Sequence, residues 1–117
     1  MEELIMPTLY ITRHGETVWN TEDRMQGWLD SSLTEIGVRN AESLNKRLKE
    51  IEFSAVYSSP SGRTKLTSEL IKGNRKIPLI LDDNLREMNM GSWEGKTLES
   101  IRETNPLGIY KFWNAPH

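Results

Sequence analysis

The chain has 117 residues and a net charge of −2, so it is one small domain or a piece of a larger one, with no basic excess to suit nucleic acid or a membrane surface. Hydrophobic content of 36% against 27% charged residues allows a core with little margin. The absence of cysteine excludes disulfides, thiolate catalysis and cysteine metal sites, and two histidines far apart leave no histidine metal cluster.

The start, Met1-Glu2-Glu3, is acidic and no long apolar run follows it. The sequence therefore reads without a signal peptide or a membrane span, and a cytoplasmic location is the default expectation. Thr8 to Thr12 is short, apolar and β-branched, which predicts a strand, with Pro7 at its start where a missing donor does little harm. From Glu16 to Ser32 no periodicity is clean. Asn20, Asp23, Gly27 and Asp30 predict a long loop, pinned by Val18, Trp19, Met25 and Trp28.

Thr34 to Ile51 carries the clearest helical stripe, through Ile36, Ala41, Leu44, Leu48 and Ile51. Thr34 is the expected N-cap, and Ser32 with Glu35 offers an alternative capping box. Lys46, Arg47 and Lys49 suit the carboxyl end of the helix dipole. Ala55 to Ser58 reads as a short buried strand. A serine cap with Pro60 at the first helical position then starts a helix that runs to about Lys72 and stops at Gly73-Asn74. Ile77 to Leu81 is a third strand, placed towards an edge by Pro78. Asp82 to Gly95 is irregular, Leu98 to Glu103 is a short helix ended by Asn105-Pro106, and a tail follows from Leu107 with Tyr110, Phe112 and Trp113. The alternation predicts an α/β domain with a parallel sheet, without repeats or linkers.

In a parallel sheet the carboxyl ends of the strands share one edge, where ligands bind. Arg13 and His14 follow the first predicted strand, Arg63 lies in the first turn of a helix, and Glu87 follows the third strand. Two guanidiniums, a helix N-terminus and a histidine compose a phosphate site with a nucleophile, because a planar guanidinium grips phosphoryl oxygens bidentately. Taken singly, Arg63 reads as a solvated helix residue and Asn20 and Gln26 as loop residues. Trp19, Trp28 and Trp93 read as packing groups, and His117 as a frayed terminal residue. Pattern alone does not choose Glu87 over Asp82, Asp83, Glu94 or Glu99.

Arg13-His14-Gly15-Glu16-Thr17 with Asn20 resembles the signature of the histidine phosphatase superfamily, in its phosphoglycerate-mutase-like branch. Gln26-Gly27-Trp28-Leu29-Asp30 with Leu33-Thr34-Glu35-Ile36-Gly37 is similar to that family's next block. Ser58-Ser59-Pro60 with Arg63 and Thr67 is similar to its second-arginine block, and Leu85-Arg86-Glu87 with Gly91, Trp93, Glu94 and Gly95 to its acid-donor block. The resemblance spans nearly the whole chain in the right order. It implies a three-layer, parallel-sheet phosphoglycerate-mutase-like fold, here a single incomplete domain over residues 1–117 with the C-terminal strands and helices missing.

The resemblance also implies roles. His14 is the nucleophile that takes the phosphoryl group; Arg13 and Arg63 hold its oxygens, helped by Asn20. Glu87 gives a proton to the leaving oxygen, and Gln26 and Gly27 line the substrate entrance. The partner is a phosphorylated small molecule or free phosphate, and no cofactor or metal is needed. The attacking nitrogen of His14 must be unprotonated, so its other nitrogen should donate to a nearby carbonyl. Glu87 must be protonated before transfer, which calls for burial or neighbouring negative charge.

The family's second active-site histidine has no counterpart block, and His117 does not stand in that context. The expectation is metal-independent phosphoester hydrolysis through phosphohistidine, weak or absent in this chain. The alternatives are an inactive phosphate-binding or self-associating protein, and mutase activity. Met88-Asn89-Met90 after Glu87, where mutases carry an Arg-His-Tyr run, favours phosphatase over mutase. An uncovered sheet edge predicts a homodimer or higher assembly.

Overall fold

The computed structural model describes residues 6–114. Its sheet has two parallel strands, β1 (Val56–Ser58) and β2 (Leu79–Leu81), in register Val56 to Leu79, Tyr57 to Ile80 and Ser58 to Leu81. The predicted parallel α/β architecture is present, and both strands fall inside their predicted ranges. The proline at 78 keeps its place beside the ladder because it supplies only its carbonyl, which accepts from Val56 N–H (2.9 Å).

The described residues also form five α-helices: α1 (Val18–Thr21), α2 (Glu35–Arg47), α3 (Gly62–Lys72), α4 (Leu98–Thr104) and α5 (Pro106–Asn114), of which α4 packs on α5. Thr34 caps α2 through its hydroxyl, which accepts from Gly37 N–H (3.1 Å), so the Thr34 cap is the one formed. The helix ends at Leu48, short of the predicted Ile51. Helix α3 connects β1 to β2 and lies against both strands and against α2. Its N-cap is Ser61, so Pro60 precedes the cap instead of occupying the first helical position. The predicted start, a serine cap directly before Pro60, is therefore two residues too early. Gly73 ends α3 at φ 57°, a left-handed conformation that glycine adopts without strain.

Three expectations are corrected. The predicted strand Thr8–Thr12 has no ladder, and Leu9 and Ile11 are 78% and 90% exposed. β-Branched composition favours extended backbone, but a strand exists only where a neighbour pairs its N–H and C=O groups. This segment's one described aromatic contact is edge-on, Tyr10 against Phe53 at 5.2 Å. The Glu16–Ser32 stretch contains α1, which Thr17 caps in a reciprocal box with Asn20. The tail is helical: Pro106 opens α5 and Asn105 Oδ1 accepts from Gly108 N–H (3.0 Å). Ile109 and Phe112 turn one face inward, with Phe112 edge-on to Trp93 (5.8 Å) and Trp113 (5.0 Å).

The two irregular stretches fasten each other. Met25 N–H donates to Lys96 O (3.0 Å), Gly95 N–H to Met25 O (2.8 Å), Leu98 N–H to Asp23 O (2.9 Å), and Arg24 Nη1 to Gly95 O (2.8 Å). The fully enclosed apolar side chains described are few: Ala41, Ile101 and Ile109. Ile36, first in the predicted stripe, is exposed. The radius of gyration is 17.3 Å, against about 13 Å expected for a compact chain of this length, so much apolar surface stays uncovered.

Candidate active site

Arg13 and His14 lie on a cleft of about 260 Å³ between the 12–16 segment and helices α2 and α3, with Asn40, Ala41, Leu44 and Thr67 on its walls. His14 is half-buried and Arg13 exposed. His14 Nδ1 stands 2.7 Å from Gly15 O. A carbonyl only accepts, so in the neutral ring Nδ1 carries the proton and Nε2 keeps its lone pair. This is the hydrogen bond that the sequence reading asked of a histidine nucleophile.

Two close backbone approaches seat the 14–16 segment on α2. A Cβ on Gly15 would stand 2.7 Å from Gly37 O, and one on Gly37 would stand 2.3 Å from Glu16 O. Only glycine at both positions lets the segment lie this near the helix. Gly15 N–H then donates to Thr67 Oγ1 (3.0 Å), whose own proton goes to Arg63 O (2.7 Å) one turn earlier in α3. His14's neighbour and Arg63 are thus joined by one hydroxyl.

Arg63 is in the first turn of α3, as expected, but it is not a solvated helix residue. It is 4% exposed. Nη1 donates to Leu29 O (2.7 Å) and Asp30 Oδ1 (3.2 Å), and Nη2 to Gly27 O (2.9 Å). Nε is buried without a protein partner. Asn20 and Gln26 meet at Thr17: the Thr17 hydroxyl stands 3.0 Å from Asn20 Oδ1 and 3.1 Å from Gln26 Oε1. Thr17 N–H donates to Asn20 Oδ1 (2.9 Å), which fixes the amide so that its NH2 group is turned away from the cap. Gln26 and Gly27 are buried.

Glu87 departs from expectation. Residues 83–89 are all exposed, so the burial asked of a proton donor is absent. Its Oε1 accepts from Met88 N–H (2.7 Å) and its carbonyl from Trp28 Nε1 (2.9 Å). Trp28 in turn gives its backbone N–H to Glu94 Oε2 (2.6 Å). The loop Gln26–Asp30 therefore touches Arg63 on one side and the Glu87 segment on the other. Of the expected site residues, Arg13 and His14 line the cleft. Arg63 is linked to it through Thr67 and holds Gly27; Asn20 and Gln26 meet at Thr17; none of these four lines it. Glu87 joins through Trp28 and does not line the cleft.

Thr67, Thr17, Asp30 and Glu94 do work that the sequence reading did not assign. For Thr67 a signal existed, since it follows Arg63 by four residues and so shares its helix face. For Thr17 the capping box with Asn20 three residues on was a local signal, whereas Asp30 and Glu94 act across 33 and 66 residues, which no local pattern records. Among the described residues no group of three His, Cys, Asp or Glu is placed to hold a metal ion, and no helix is long and apolar enough to cross a membrane. His117 lies outside the described residues.

The family model of the histidine phosphatase superfamily (branch 1) matches residues 9–117. A probable phosphoglycerate mutase GpmB from Yersinia pestis is 40% identical over 96 residues, which are 82% of this chain and 45% of that protein. Among solved structures, YhfR of Bacillus stearothermophilus superposes with a TM-score of 0.88 at 53% identity, over 91% of this chain and 52% of that one. A phosphoserine phosphatase from Entamoeba histolytica, solved in complex with 3-phosphoglyceric acid, superposes with a TM-score of 0.73 at 33% identity, over 85% and 48% of the two chains. The chain spans about half the length of the relatives it matches. It belongs to the histidine phosphatase superfamily, branch 1.

Proposed function

We propose that this chain carries the phosphate-binding and nucleophilic half of a metal-independent phosphomonoesterase that works through phosphohistidine. The observation that carries this reading is the 2.7 Å approach of His14 Nδ1 to Gly15 O, which in the neutral ring leaves the Nε2 lone pair free, beside a cleft shared with Arg13. Phosphoryl transfer needs in-line positioning and charge stabilisation more than covalent machinery. The Nε2 lone pair attacks phosphorus, the bond to the ester oxygen breaks, and that oxygen takes a proton, a role that the family resemblance gives to Glu87 although it is exposed and outside the cleft in this structure. Water then attacks the phosphohistidine, the Glu87 carboxylate takes its proton, and phosphate leaves. Arg13, Arg63 and the NH2 of Asn20 serve the phosphoryl oxygens, and Gln26 and Gly27 line the entrance.

Relatives include proteins named as mutases and as phosphatases. Met88-Asn89-Met90 after Glu87 supports hydrolysis over mutase chemistry. Phosphorylated small molecules are the substrate class, and a cytoplasmic location accords with it. His14 is the one histidine among the described residues. A polypeptide limited to them lacks the second active-site histidine that the resemblance implies, a preorganised donor whose loss costs a factor of about 10²–10³ in turnover. Multiple turnover by the isolated 117-residue chain is therefore weak or absent, while phosphate binding and single transfer to His14 persist. Incubation with an aryl phosphate, followed by mass spectrometry under neutral quench, tests this. A phosphorylated peptide containing His14, lost in His14→Ala, supports the proposal; label that survives His14→Ala, or no label at all, contradicts it.

Phosphate binding without transfer would favour the second reading, a phosphate-binding or self-associating protein. Uncovered Leu9, Ile11, Ile80 and Leu81 support self-association as a homodimer or higher assembly.

A further inference from the structure

We propose that Asp30 is a positioning residue that presents Arg63 to the phosphoryl group, an inference that rests on the phosphate-site reading above. Arg63 has a side chain 3% exposed, yet its partners are two carbonyls and one carboxylate from a single loop. Those acceptors engage the terminal nitrogens and leave the buried Nε without a protein partner. A guanidinium has more N–H groups than these acceptors use, so the end of the fork is anchored while its flank, Nε–H with the remaining Nη2–H, stays available for an oxyanion. A buried unpaired donor is costly unless a ligand satisfies it.

Asp30 fixes this arrangement from two directions. Its Oδ1 accepts from Nη1 of Arg63 and also from the Arg63 backbone N–H (3.1 Å), so one oxygen holds the side chain and the start of α3 together. Gly62 makes room for it: a Cβ there would stand 2.4 Å from Asp30 Oδ2. The Asp30 side chain is itself 41% exposed, so its replacement removes little packing. As a mere surface ion pair it would matter little. As an orienter of a buried phosphate ligand it controls affinity.

The test is titration of inorganic phosphate into the full chain by calorimetry, with thermal midpoints measured in parallel without phosphate. Arg63→Ala should abolish binding. Asp30→Ala should weaken it about tenfold, the usual worth of a hydrogen bond to a charged group, while Asp30→Asn, which keeps the Oδ1 acceptor, restores most of it. Gly62→Ala offers an independent route, since its methyl displaces the Asp30 carboxylate without altering Asp30. It should lower phosphate affinity as Asp30→Ala does, through the lost Asp30 contacts to Arg63. A purely structural Asp30 would move the midpoint and spare the affinity. Binding that is lost in Arg63→Ala but unchanged in Asp30→Ala overturns this inference alone. Tighter binding in Asp30→Asn also overturns it, by making Asp30 a competitor of phosphate. No binding by the unaltered chain overturns the phosphate-site reading and this inference with it.

Discussion

Gly15 N–H donates to Thr67 Oγ1 at 3.0 Å, across 52 residues of sequence. The same hydroxyl donates to Arg63 O, so the residue after His14 is hung on the helix that carries Arg63. Thr67 is 4% exposed. Thr67→Val preserves shape and removes both bonds, leaving the Gly15 N–H unsatisfied. It should lower stability by about 1–3 kcal/mol in denaturant unfolding and weaken phosphate binding, while Thr67→Ser recovers most of both.

Gly37 sits in the first turn of α2 with no room for a methyl group. The atom in the way is a backbone oxygen, Glu16 O, which cannot swing aside as a side chain would. Helix propensity alone would make Gly37→Ala stabilising. The contact predicts the opposite sign: a loss of about 1–3 kcal/mol from overpacking, measured by thermal unfolding, with His14 displaced from its cleft.

Arg75 closes the other end of the helix pair. Its Nη2 donates to Leu48 O and to Ile51 O (3.1 Å), its Nη1 to Ile71 O (3.5 Å), and its guanidinium lies 4.8 Å from the centre of the Phe53 ring. A cation here meets the negative ends of α2 and α3 together. Arg75→Ala should cost about 1–3 kcal/mol, and Arg75→Lys should recover only part, because an ammonium lacks the planar fork.

The uncovered apolar residues Leu9 and Ile11 predict association of the isolated chain. Sedimentation equilibrium at micromolar concentration should show a dimer or larger species, and Ile11→Lys should shift it towards monomer. A monomer with a cooperative melt before any substitution would contradict this.

Much of the fold was legible because its signals are local. Thr34 as a cap, Gly73 as a stop and both ladder strands follow from residue types over a few positions. The first strand misled because Thr8 to Thr12 has strand composition and no described partner, and pairing is a property of the neighbour. Helix α5 was readable in principle: Asn105-Pro106 ends one helix and starts the next, and Ile109, Phe112 and Trp113 recur at helical spacing. The site was half legible. Arg63 was placed in the correct turn, but its burial depends on the carbonyls of Gly27 and Leu29, more than thirty residues earlier. The exposure of Glu87 was not visible in its sequence neighbourhood.

The central claim is that His14 attacks through Nε2 because Nδ1 is committed to Gly15 O. Long-range ¹H–¹⁵N correlation spectra of ¹⁵N-histidine-labelled chain, after reaction with an aryl phosphate, report which ring nitrogen carries phosphorus. The account predicts the phosphoryl group on Nε2 of His14, with Nδ1 still protonated. Phosphorus on Nδ1, or on His117 in place of His14, would contradict it.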